Sequence, residues 1–131
     1  DLLQQGDVLL VGKGASNHAA VWPGSAEETL ASNTLFVIRP DPTRVLPEFL
    51  ASYLNSTAAQ AWFAPHQKTG TVKVLSREAL NQMVVPIPDL TTQQRMARLS
   101  AAARTALATL TDLSQAHTAL LNSAWAQLND Q

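Results

Sequence analysis

The chain has 131 residues, 46% of them hydrophobic and only 15% charged, with a formal net charge of −1. This composition fits one globular domain with a real core and excludes a disordered chain. Cysteine is absent, which excludes a disulfide framework, a thiolate metal site and a cysteine nucleophile, and no apolar run is long enough to span a membrane.

In chain order, Gly6-Asp7 reads as a turn and Val8-Leu9-Leu10-Val11 as a short buried strand. Residues 12–18 form a loop by their glycines and small polar residues. Ala19-Ala20-Val21-Trp22 predicts a second strand, ended by Pro23-Gly24. Thr34 to Arg39 is the best strand pattern in the chain, β-branched and aromatic, and Pro40-Asp41-Pro42 stops it. Pro47 then opens a helix at a favoured first-turn position. Phe49, Leu50, Tyr53, Leu54, Ala58, Ala61 and Trp62 recur at three- and four-residue spacing. That spacing predicts one amphipathic helix of about four turns, closed near Pro65. A loop over 67–71 follows, then a weakly alternating strand over 72–75. Ser76 is placed to cap a short helix from Arg77 to Gln82, and Met83 to Ile87 reads as a last strand.

Pro86 and Pro88 prevent that strand from running on into a helix. Thr91 and Gln94 have the spacing of a capping box, with Asp89 also a helix-start residue. From Gln93 to Leu128 there is neither Gly nor Pro, which predicts a continuous helix of roughly 54 Å. Met96, Leu99, Ala103, Ala106, Leu110, Leu113, His117, Leu120 and Ala124 step along it by three and four. This is a heptad seam, and Leu107, Leu121 and Leu128 widen it to about three positions in seven. Such a stripe suits a helix packed on more than one neighbour, and a second copy of the chain is the simplest cover; the alternative is a helix folded back on its own domain. The fold expectation is therefore α+β: a small mixed or antiparallel sheet with one amphipathic helix, over 1–88, followed by a long coiled-coil-type helix over 89–131.

No constellation for chemistry is complete. Gly12-Lys13-Gly14 lacks the Ser or Thr of a P-loop and the third Gly of a dinucleotide fingerprint. His18, His66 and His117 lie far apart without ligand spacing, and no nucleophile elbow is present. The expectation is no catalytic residue, no metal and no cofactor. Lys13, Lys68, Lys73 and Arg77, with Ser16, Asn17, Thr69 and Thr71, fall in or beside Gly-containing loops. Cations and short polar side chains on loops suit contacts to phosphates and base edges, and an ordinary solvated surface is the alternative. A free-standing nucleic-acid binder is usually basic, so a chain of charge −1 would touch DNA as one part of a larger assembly or through a local patch.

Gly6 to Leu10, Gly14-Ala15-Ser16, Phe36 to Pro40, Pro47 to Ser56, Gly70-Thr71, Leu75-Ser76, Leu80 and the run Val85-Pro86-Ile87-Pro88-Asp89-Leu90 with Gln93-Gln94 together form an ordered series. In that order they resemble the specificity subunit of type I restriction–modification systems. The resemblance covers most of the chain. It implies the end of a target-recognition domain followed by a spacer helix, reading a half-site on DNA and docking methyltransferase (modification) and restriction subunits. It implies no catalysis by this chain, because methyl transfer and ATP-driven cleavage belong to the other subunits. A further stretch that usually precedes Gly6-Asp7 in that family is missing, and the sequence opens at Asp1 without Met, which predicts a piece of a longer protein. The rival expectation is a helix-mediated interaction or dimerisation module that does not touch DNA. In either case the expectation is a cytoplasmic protein that does not engage a membrane and forms a homodimer when isolated.

Overall fold

The computed structural model describes residues 2–68, 70 and 72–130. Three strands form an antiparallel sheet: β1 (Val8–Val11), β2 (Ala19–Val21) and β3 (Leu35–Ile38), in the order β2-β1-β3. Leu10 pairs with Ala19 on one side and Phe36 on the other, and Val8 pairs with Val21 and Ile38. Because side chains alternate along a strand, Val8 and Leu10 point the same way, and both are fully buried. Gly12 ends β1 where a Cβ would stand 2.6 Å from the Phe36 ring, so only glycine fits that crossing without displacing the ring.

The sheet is covered by α1 (Pro47–Leu54) and α2 (Thr57–His66). Leu50, Ala51, Leu54, Ala59 and Phe63 meet Val8, Leu10 and Ala19 in one buried cluster that also takes in Leu75. The single four-turn helix expected here is two helices. The break follows from two side chains. Ser56 caps α2 by accepting from Ala59 N–H at 3.2 Å, and Asn55 turns away to the edge of β2. There the Asn55 amide accepts from Ala19 N–H and donates to Ala19 O, both at 2.8 Å, substituting for a missing neighbouring strand. The second helix closes near Pro65 as expected, ending at His66 with Pro65 its last residue but one.

Two expected strands are not formed. Of residues 72–75, only Val74 makes bridges, to Lys13 and Lys68. Residues 83–89 join no ladder; Pro86 and Pro88 have no N–H to give one. The short helix α3 (Arg77–Asn81) is capped as expected, with Ser76 Oγ accepting from Ala79 N–H at 3.1 Å.

The last helix, α4, runs from Leu90 to Asn129. Its first free N–H groups are met two residues earlier than the expected capping box. Asp89, not Thr91, is the cap: its Oδ1 accepts from Thr92 N–H at 2.8 Å. The Thr92 side chain and its N–H together hold the Asp89 carboxyl below the usual carboxylate range. The chain divides into two compact units, Asp1–Ala97 and Arg98–Gln131. Gln93 is fully buried and belongs to the first of these units.

Candidate functional site

The loops that carry the cations are gathered by backbone bonds around Val74. Lys68 and Val74 exchange both N–H···O bonds, at 2.9 and 3.2 Å, Gly14 N–H donates to Lys73 O at 3.2 Å, and Leu75 N–H donates to Gly12 O at 2.8 Å. Leu75 anchors the junction, since its side chain is in the core. Two segments far apart in sequence, one bearing Lys13 and the other Lys68 and Lys73, therefore meet at one place. Arg77 follows at the first residue of α3. All four cations are exposed, and among the described residues none of them has an ion pair. Glu78 is the nearest acidic residue in sequence and is exposed as well.

The companion residues divide. Ser16 is exposed on the same loop as Lys13. Asn17 is buried, with its amide donating to Val11 O at 3.0 Å and its own carbonyl taking the Gln60 amide at 3.0 Å. Asn17 therefore shapes the loop from within. Thr69 and Thr71 lie outside the described residues. The N–H groups of Gly12, Lys13 and Gly14 go to Thr34 O, Thr34 O and Lys73 O. A phosphate cradle needs such groups free, so this glycine-lysine-glycine run is a turn that presents the Lys13 side chain.

The second candidate surface is the seam on α4. Met96, Leu99, Leu110, Leu113 and Leu120 are between 47% and 72% exposed, and Ala103, Ala106, His117 and Ala124 are exposed with them. Leu107, Leu121, Trp125 and Leu128 add to the open apolar surface. An apolar stripe of this extent is unusual on a soluble monomer.

Several bonds were not foreseen from the sequence. Asp7 is fully buried and takes both Arg39 Nε at 2.7 Å and the Arg39 terminal nitrogen at 2.8 Å, one on each carboxylate oxygen. The Arg39 guanidinium holds the Asp7 carboxyl below its usual range, with Gln4 N–H assisting and burial opposing. The only signal was a Gly-Asp turn before one strand and an arginine ending another. His66, considered for metal binding, is stacked on Trp62 with ring centroids 3.8 Å apart and bonds Trp62 O through Nδ1. Among the described residues no group of three His, Asp or Glu is placed to hold a metal ion, and no helix is long and apolar enough to cross a membrane.

Comparison with protein-family models and with curated proteins finds no match for the chain.

Proposed function

We propose that the chain is a DNA-specificity component of the type I restriction–modification kind, in which the α/β unit meets the DNA backbone and α4 packs against another helix and docks modification subunits. One observation carries the DNA half: the backbone bonds that bring Lys13, Lys68 and Lys73 together around Val74, with Arg77 beside them. Clustered cations without ion partners are what phosphate contact needs. The chain performs no chemistry of its own; methyl transfer and cleavage are left to partner subunits in the cytoplasm. A rigorously purified sample that turned over S-adenosylmethionine or cut DNA would overturn that part.

Titration of the chain into a labelled mixed-sequence duplex at low salt tests the cationic loops. With a net charge of −1, weak binding that moderate salt abolishes is expected. The variant Lys13→Ala/Lys68→Ala/Lys73→Ala/Arg77→Ala should lose it. If wild type and variant titrate alike, the DNA role fails.

The exposed seam favours a second reading independently: a helix-mediated interaction module that never contacts DNA. Equal titrations combined with a dimer in sedimentation would select it.

A further inference from the structure

The two edges of the sheet are finished differently. At the β2 edge the Asn55 amide meets both backbone groups of Ala19. The β3 edge has no such cover. In an antiparallel ladder, residues that bond across the pair alternate with residues whose N–H and C=O point away. Gly12 N–H donates to Thr34 O at 2.9 Å, and the register continues through Val11↔Leu35, Leu10↔Phe36, Leu9↔Val37 and Val8↔Ile38. Phe36 and Ile38 therefore bond toward β1, while Leu35 and Val37 turn their backbone groups outward. The Leu35 N–H goes back to Ser32 O at 3.1 Å. Among the described residues, neither backbone group of Val37 has a partner.

The side chains of β3 do not suit an edge either. Leu35 and Val37 lie on one face and Phe36 and Ile38 on the other, so the strand is apolar on both, which is the composition of an interior strand. The usual guards of an edge are missing from Leu35–Ile38: it holds no Lys, no Pro and no inward charge, and its register has no bulge. Val37 is 40% exposed. A strand that completes this edge has to be apolar at consecutive positions to cover both faces. Val8–Val11 and Leu35–Ile38 are strands of that kind in this chain, and Val8–Val11 is already paired on both sides. The β3 of a second copy has both the composition and the free edge.

We propose that two copies of this chain join edge to edge through β3, antiparallel and centred on Val37, so that their sheets run on as one. Outward-facing residues have to oppose outward-facing residues, so the register moves only in steps of two. Centred on Val37, the Val37 N–H donates to the partner's Val37 O, and symmetry supplies the reverse bond. The Arg39 N–H, which has no partner among the described residues, donates to the partner's Leu35 O. Phe36 stands against the partner's Ile38, an aromatic and β-branched pair of the kind that stabilises antiparallel strands. A shift of two residues one way sets Val37 O against the partner's Leu35 N–H, a group that Ser32 O already holds. The opposite shift sets Phe36 against the partner's Pro40, beyond the end of the strand. This contact is separate from any pairing along α4.

β3 is 4 residues long, so the contact buries less than a standard interface and forms well above micromolar concentration. The full chain carrying Leu110→Asp and Leu113→Asp isolates it from α4. Amide hydrogen exchange of this chain is followed from micromolar to millimolar concentration. The Phe36 N–H, bonded to β1, should exchange slowly throughout. The Val37 N–H faces water in the single chain and should slow by about tenfold once roughly nine-tenths of the chains are paired. Val37→Pro removes a donor that the sheet itself does not use, at an edge position where proline is tolerated. That variant should sediment as a monomer at millimolar concentration, where its parent does not. Val37 exchange that is independent of concentration overturns the proposal, and so does self-association of the proline variant equal to that of its parent. If circular dichroism shows the proline variant unfolded, the exchange measurement decides alone. In a mixture of labelled and unlabelled chains, a magnetisation transfer between the Phe36 Hα and the partner's Ile38 Hα reads the register, and its absence in a paired sample overturns the centring on Val37.

Discussion

Gln93 and Leu46 are joined side chain to backbone: the Gln93 Oε1 accepts from Leu46 N–H at 2.8 Å, while its Nε2 donates to Arg44 O at 2.9 Å and Pro88 O at 2.8 Å. One amide on the first turn of α4 thereby fixes the entry to α1, the residue before α1 having no side-chain cap of its own. The same amide fastens the end of the double-proline segment. The first turn of α4 is thus fastened within the first unit by a fully buried polar group.

Replacing that amide leaves one N–H and two carbonyls without a partner in a site closed to water. Gln93→Leu should destabilise the chain by on the order of 3 kcal/mol. Gln94→Ala, on the exposed neighbour, should change stability by less than about 0.5 kcal/mol. Urea unfolding followed by tryptophan fluorescence compares the two. Similar losses from both would mean that the Gln93 bonds contribute little.

The Asp7–Arg39 pair should give the chain an acid-sensitive stability. The folded carboxyl titrates below its ordinary value of 3.8, so the folded state binds fewer protons than the unfolded chain. The contribution is fully present above that ordinary value and is lost as the pH falls through the lower, folded one. Asp41, held by Thr43, and Asp89, held by Thr92, are shifted the same way and add to the slope. Asp7→Asn should lower the urea midpoint near neutral pH and flatten its fall on acidification. An unchanged slope in the variant would assign the acid sensitivity to the other two carboxylates.

Single substitutions distinguish phosphate contact from base reading. Lys73→Ala should weaken binding by a similar factor on every duplex tested and reduce the slope of log affinity against log salt by about 1. Binding isotherms over a salt series measure both. A loss confined to one sequence would identify a base contact instead.

Leu110→Asp together with Leu113→Asp should abolish pairing, because both carboxylates would be buried against apolar side chains. Since both positions are more than 60% exposed in the single chain, the fold of the α/β unit should survive, which circular dichroism checks alongside sedimentation. A doubly substituted chain that still dimerises would place the interface elsewhere.

The sequence by itself determined the pieces whose causes are local. The three strands, the caps at Ser76 and Asp89, the double-proline stop and the uninterrupted helix after it all follow from β-branching, side-chain hydroxyl or carboxyl placement, and the presence or absence of Gly and Pro. The α+β class was legible for the same reason, since period-two and heptad patterns are written along the chain. Decisions that needed a partner from far away were settled only by tertiary structure. Asn55 and Ser56 are tolerable inside a helix by spacing alone; the helix breaks there because Asn55 finds both backbone groups of Ala19. Residues 72–75 and 83–87 have strand-like composition, yet a strand exists only where a neighbour offers a ladder, and each has either one bridging residue or none. Asn17 looked like a loop residue open to a ligand until the Val11 carbonyl claimed its amide. The meeting of Lys13 with Lys68 and Lys73 was invisible along the chain, because the Lys13 loop is joined to the later segment by backbone bonds across more than fifty residues, and sequence spacing carries no information about bonds of that reach.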